Sequence, residues 1–177
     1  TTQTVYFPNC IAVWLTISSL ICLWDAMFVL NRATTLDSFH NPIWAPYKDY
    51  VLVDRLYGKV ENDFVWSQSI LNLIEIFLNL YALRLLSSQK FKAASVTALV
   101  ASAMTSSKTI LYHVMEISCD GCNTKQNDWA TFLTLYVLPN GVWIWVPMYA
   151  CYVLGNSLCE DNKDDALVKI DESSNDE

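Results

Sequence analysis

Four long apolar runs organise this chain, at residues 11–30, 65–86, 93–115 and 131–154. Each reaches the roughly 18 to 25 residues that a hydrocarbon core of about 30 Å requires. The spacing between them leaves little room for a separate soluble domain. The pattern predicts an all-α protein, a four-helix transmembrane bundle over residues 1–159, followed by an acidic tail over residues 160–177. A globular protein with four very apolar core helices is the alternative. Aromatic placement weighs against it, because Trp14, Trp24, Trp66, Tyr81, Tyr136, Trp143, Trp145 and Tyr152 lie within the runs, several near their ends. Such amphipathic rings suit the boundary between headgroup and hydrocarbon.

Polar residues interrupt these runs in register. In the second, Gln68, Asn72, Glu75 and Asn79 recur at offsets of 4, 7 and 11, one stripe along a helix. In the third, Thr105, Thr109, Tyr112 and Glu116 repeat those offsets, with Lys108 one position off the stripe. Asn140 and Trp143 lie one turn apart in the fourth, with Pro147 a turn later, and Asp25 sits inside the first. An ionisable group near a bilayer centre costs about 2.5 to 3.5 kcal/mol, so these stripes face protein and not lipid. They can satisfy one another, Lys108 pairing with Glu75 or Asp25 and amides bridging helices. A shared cavity is the fuller reading, since acids in an apolar wall serve proton transfer and the Trp143 ring can face a cation.

Charge changes the picture little. The chain carries −7 in total, but residues 160–177 hold eight acids and two lysines, so the bundle is nearly neutral and the tail reads as a disordered solvated segment. No basic stripe or glycine-rich loop points to nucleic acid or nucleotide. No basic stretch precedes Ile11, so the first run is expected to be a retained span and not a cleaved signal peptide. The loop between the second and third spans carries its basic residues without acids, which favours cytosolic termini. Cys10, Cys22 and Cys151 read as small buried hydrophobes. Cys119 and Cys122 form a Cys-Asp-Gly-Cys unit with three open readings: free thiols, a local disulfide, or half of a metal site. No second pair completes a zinc site, and no metal or cofactor is assigned.

Five patches in register resemble the EXPERA family, which includes the emopamil-binding sterol isomerase and the sigma-2 receptor. They are residues 23–30 (Leu-Trp-Asp-Ala-Met-Phe-Val-Leu); Tyr47-Lys48-Asp49-Tyr50 with Asp54 and Tyr57; Asp63-Phe64-Val65; Leu111-Tyr112 with Glu116, Asp120 and Gly121; and Asn140, Trp143 and Pro147. The resemblance covers about residues 20 to 150. It implies that Asp25 matches a catalytic carboxylate, Asn140 an amide that positions an acid, Trp143 the ring facing a carbocation, and Glu116 an acid nearer the cavity mouth. It also implies an endoplasmic-reticulum location. Ile21 and Ser69 depart from the family isomerase, which has a histidine and a glutamate at those positions.

These readings together predict a membrane isomerase or cyclase that moves a proton on a double bond of a sterol-like or terpenoid substrate. Asp25, Glu75, Asn140 and Trp143 are the expected catalytic residues. Glu116, Tyr112, Asn72, Gln68, Ser69 and Lys108 are expected to bind substrate. The alternative is a lipophilic-ligand-binding protein of the sigma-2 receptor type, without chemistry. A third reading is an accessory protein whose acidic tail recruits a partner. The expected partners are a lipophilic small molecule and the bilayer, and self-association into a homo-oligomer is compatible with the sequence.

Overall fold

The structure, a computed structural model, describes residues 6–175, with side chains described as far as residue 160. All regular elements among the described residues are helical: α1 Asn9–Leu30, α2 Arg32–Thr35, α3 Tyr47–Val53, α4 Asp63–Ser87, α5 Phe91–Ser118, α6 Trp129–Thr131, a π-helical segment Phe132–Val137, and α7 Leu138–Asn175. Each apolar run therefore lies on a helix. The backbone of the acidic segment continues α7 to Asn175, but its side chains lie outside the described residues, and so does the expectation that this tail is disordered and solvated.

Local chemistry sets several boundaries. Asn62 caps α4 by accepting the Val65 N–H at 2.9 Å, and Asp128 caps α6 by accepting from Ala130 and Thr131. The turn between α4 and α5 places Gln89 at φ 59°, which lets the Lys90 N–H reach the Leu85 carbonyl at 3.0 Å. Three helical stretches are long and apolar enough to cross a membrane: Asn9–Leu30, Asp63–Ser87 and Trp129–Glu160. The 28-residue α5 is long enough but less apolar, because Ser95, Thr97, Ser102, Thr105, Ser106, Ser107, Lys108 and Thr109 interrupt it.

The long helices pack in chain order, α1 on α4, α4 on α5 and α5 on α7. Ala82, Ala94, Ala98 and Ala101 are fully buried between them, and such small side chains let helix backbones approach closely. Outward positions such as Val13, Leu20, Phe77, Trp145 and Tyr152 are exposed and apolar, which is compatible with a lipid bilayer around the helices. One core cluster joins Ile11 and Leu15 to Leu85, Ala98 and Leu154; a second joins Phe28 and Val29 to Tyr47, Leu56, Val65, Tyr112 and Tyr136. The candidate site lies at the level of residues 21–25 of α1 and borders the second cluster through Tyr47, Val65 and Tyr112.

The connection from α1 to α4 folds over the end of the helices. Arg32 is buried and holds it there, donating to the carbonyls of Val29 at 3.2 Å, Leu56 at 3.4 Å and Asn62 at 2.9 Å. Phe28 stacks flat on Tyr47, with ring centroids 3.7 Å apart, and so fixes the start of α3 against α1.

Candidate functional site

A cavity of about 320 Å³ opens among the four long helices and the folded loop. Cys22, Trp24 and Asp25 come from α1, Tyr47, Tyr50 and Tyr57 from the loop, Gln68, Ser69 and Asn72 from α4, Lys108, Thr109 and Tyr112 from α5, and Asn140 and Trp143 from α7. The polar stripe of α4 turns inward because its opposite face is apolar: Leu71, Leu73, Ile74 and Phe77 are exposed. Of the residues expected to act together, Asp25, Gln68, Ser69, Asn72, Lys108, Tyr112, Asn140 and Trp143 all line this one space.

Asp25 is the cavity's carboxylate. Its Oδ1 accepts from the Tyr47 hydroxyl at 2.9 Å, and its Oδ2 accepts from the Tyr57 hydroxyl at 3.3 Å and from Asn72 Nδ2 at 3.2 Å. Burial first, and then the neighbouring Asp25 charge, push the hydroxyls of Tyr47 and Tyr57 well above their ordinary range, so both stay protonated and remain donors. The amide of Asn72 is oriented from behind, since its Oδ1 accepts from the Lys108 ammonium. Lys108 also forms an ion pair with Glu75 at 3.0 Å, and Thr105 Oγ1 donates to the same Glu75 oxygen at 2.9 Å.

This chain of contacts corrects the expected role of Glu75. Its side chain is only 2% exposed and does not line the cavity. The residue lies deeper on the α4 stripe, where Lys108 from α5 neutralises it. The alternative weighed from sequence, in which Lys108 satisfies Glu75, is realised for that pair, while Asp25 keeps its place at the cavity wall.

Glu116 is also placed differently from expectation. It faces the loop after α5, where its oxygens accept from the Asn123 N–H at 2.9 Å, Asn123 Nδ2 at 2.8 Å and Thr124 Oγ1 at 2.8 Å. It does not line the cavity. Its neighbours Cys119 and Cys122 are disulfide-bonded, the second of the three readings left open by sequence. Together the three residues offer donor atoms within 4.8 Å of one another, the geometry of a metal-ligand cluster. The three donors already spent on the Glu116 oxygens, and the sulfur–sulfur bond, use that set for loop structure instead.

The aromatic wall is built from two sides. Trp143 packs against Trp14 with ring centroids 5.2 Å apart, and Trp24 packs against Tyr47 at 4.8 Å while its Nε1 donates to the Ile43 carbonyl. Asn140 donates to the Tyr136 carbonyl at 2.8 Å, a bond made one turn back where the π-helical segment meets α7.

Sequence reasoning missed the loop's contribution. Tyr47 and Tyr57, the direct partners of Asp25, entered only as parts of a resemblance, although three tyrosines within eleven residues of an otherwise polar loop were a readable signal. Asp54 likewise entered only as part of the resemblance. That residue is fully buried, and its carboxylate accepts from the Tyr112 hydroxyl at 2.6 Å and from the Leu56 N–H at 3.0 Å. Burial pushes its carboxyl up to about 6, against the opposing pull of those two hydrogen bonds. No family model, curated protein or solved structure matches the chain.

Proposed function

We propose that this chain is an EXPERA-like membrane protein, with α1, α4, α5 and α7 as its four spans. Its cavity takes a sterol-like or terpenoid lipophile and moves a proton on it, as an isomerase or cyclase does. The single observation carrying this reading is Asp25: one carboxylate at the wall of a mainly apolar cavity, both oxygens held by fixed donors, on a wall that also carries the indole of Trp143. Such a group, as the acid, gives its proton to one alkene carbon and then, as the carboxylate left behind, takes a proton from a carbon next to the resulting cationic centre, while the ring face stabilises that centre. Tyr47 and Tyr57 fix the oxygens in place, so no reorganisation is needed as charge develops. The endoplasmic reticulum and cytosolic termini belong to the same proposal and rest on the resemblance and on the basic loop between α4 and α5.

One observation favours the second reading, a binding protein of the sigma-2 receptor type. Glu75, the expected second proton group, does not line the cavity and is paired with Lys108, so the site holds the Asp25 carboxylate but lacks a second, paired acid. Membranes containing the full chain, incubated in deuterated water with candidate sterols and terpenoids, decide between them. The isomerase or cyclase reading expects deuterium at a carbon of the product and an Asp25→Asn variant slower by about 10² to 10⁴-fold. Lipophile binding without label in any product would remove the enzyme reading and leave the binder.

A further inference from the structure

The segment after α5 is built as a brace against the loop that roofs the cavity. Asp120 and Gly121 take left-handed φ values of 56° and 68°, turning the chain back so that Cys122 meets Cys119. For Asp120 that conformation is unfavourable without support. The turn presents Asn123 to Glu116 on one side and to the roofing loop on the other. The Arg55 N–H donates to the Asn123 carbonyl at 3.2 Å, and Lys59 Nζ donates to Asn123 Oδ1 at 2.9 Å. Farther along, Gln126 Nε2 donates to the carbonyls of Leu52 and Val53, and Asn127 Nδ2 donates to Val53. Every one of these contacts reaches residues 52–59, the stretch that carries Tyr57 to Asp25.

We propose that the Cys119–Cys122 pair is a redox latch: as a disulfide it holds residues 50–59 down over the cavity, and as a dithiol it releases them. The exchange balances with a glutathione-type thiol, two of which give up their protons and electrons to leave two protein thiols and one small-molecule disulfide. Position argues against an exchange catalyst. Cys119 caps the C-terminal, negative end of α5, and its sulfur lies 3.8 Å from a Glu116 oxygen, surroundings unlike the electropositive ones of exchange-catalyst thiols. The pair is suited to being set by the redox state of its surroundings and then held. On the proposed orientation it faces the lumenal side, where disulfides persist.

The inference rests on the cavity being the ligand site, but its test uses no ligand. The full chain in lipid nanodiscs is held either in oxidised glutathione or in a phosphine reductant. Amide exchange is then read by mass spectrometry at residues 50–59. Alkylation of Cys22, which lines the cavity, is read with N-ethylmaleimide and peptide mapping, so that newly freed Cys119 and Cys122 are counted separately. Reduction is expected to speed both by about tenfold. The double variant Cys119→Ser/Cys122→Ser is expected to be fast in either buffer, and if it does not fold, the two buffers on the native chain still decide. Rates that agree within about twofold between the oxidised and reduced native chain would overturn the latch. Failure of the substrate experiment, by contrast, would leave this result untouched.

Discussion

Asp25, Asn72, Lys108 and Glu75 form one line of contacts across three helices, and the middle of the line decides what its ends can do. Lys108 spends one contact on Glu75 and one on the Asn72 oxygen, which turns the Asn72 amide nitrogen toward Asp25. Removing the ammonium therefore has two effects. Lys108→Met leaves Glu75 buried and uncompensated, which is expected to cost about 3 to 5 kcal/mol of stability. The double variant Glu75→Gln/Lys108→Met removes both charges and should recover most of that loss. Unfolding of the detergent-solubilised variants measures both, and a double variant no better than the single one would show that the pair is not the source of the cost. Asn72→Leu tests the other end. It deletes one of the three donors to Asp25 and is expected to weaken lipophile binding or turnover about tenfold while leaving the Lys108–Glu75 pair intact.

Among the elements, α5 carries a buried stripe of small side chains. Ala94, Ser95, Ala98, Ala101 and Ser102 recur at spacings of three and four and are all buried, Ala94, Ser95, Ala98 and Ala101 completely. Enlarging this stripe forces the helices apart. Ala98→Leu is expected to destabilise the chain by about 1 to 3 kcal/mol, while Val96→Leu on the exposed face should fall within about 0.5 kcal/mol of the native chain. Thermal unfolding of the two variants side by side makes the comparison, and equal losses would place the stripe outside the interface. The same small and hydroxylated residues that let α5 pack closely also lower its hydropathy below that of the other long helices. Length and interior packing, not apolarity, place it between α4 and α7.

For the molecule as a whole, the roofing loop couples stability to pH through Asp54. Its carboxyl titrates at about 6 in the folded chain against about 3.9 when unfolded, because burial opposes its charge. A raised acid stabilises the fold fully below its unfolded value and loses that contribution as pH rises through its folded value. Stability is therefore expected to fall between about pH 4 and about pH 6, by a component on the order of 3 kcal/mol, and to level off above. In Asp54→Asn that component should vanish, flattening the profile while Tyr112 keeps an oxygen to bond. Unfolding of native and variant chains across this range checks it, and parallel profiles would assign the slope to other groups.

Periodicity along the chain determined the helices and which of their faces turn inward, because the cost of a carboxylate or amide against apolar surroundings is local and acts on each helix alone. That is why the α4 stripe was readable from spacing, and why Asp25, Lys108 and Asn140, polar residues inside apolar runs, were readable as facing a shared interior. Depth and partners were not. Glu75 and Lys108 sit on different helices, and only the stagger of α4 against α5 decides that they meet each other and that Glu75 misses the cavity. Glu116 shares its stripe with Tyr112, yet the left-handed turn at Asp120 and Gly121 brings Asn123 and Thr124 over its carboxylate and removes it from the site. Tyr47 and Tyr57 reach Asp25 across more than twenty residues of chain, through a loop folded by Arg32 and the Phe28 stack. A helix face follows from its own sequence, whereas a contact between elements depends on how several of them settle against one another, and that balance is struck only in the folded chain.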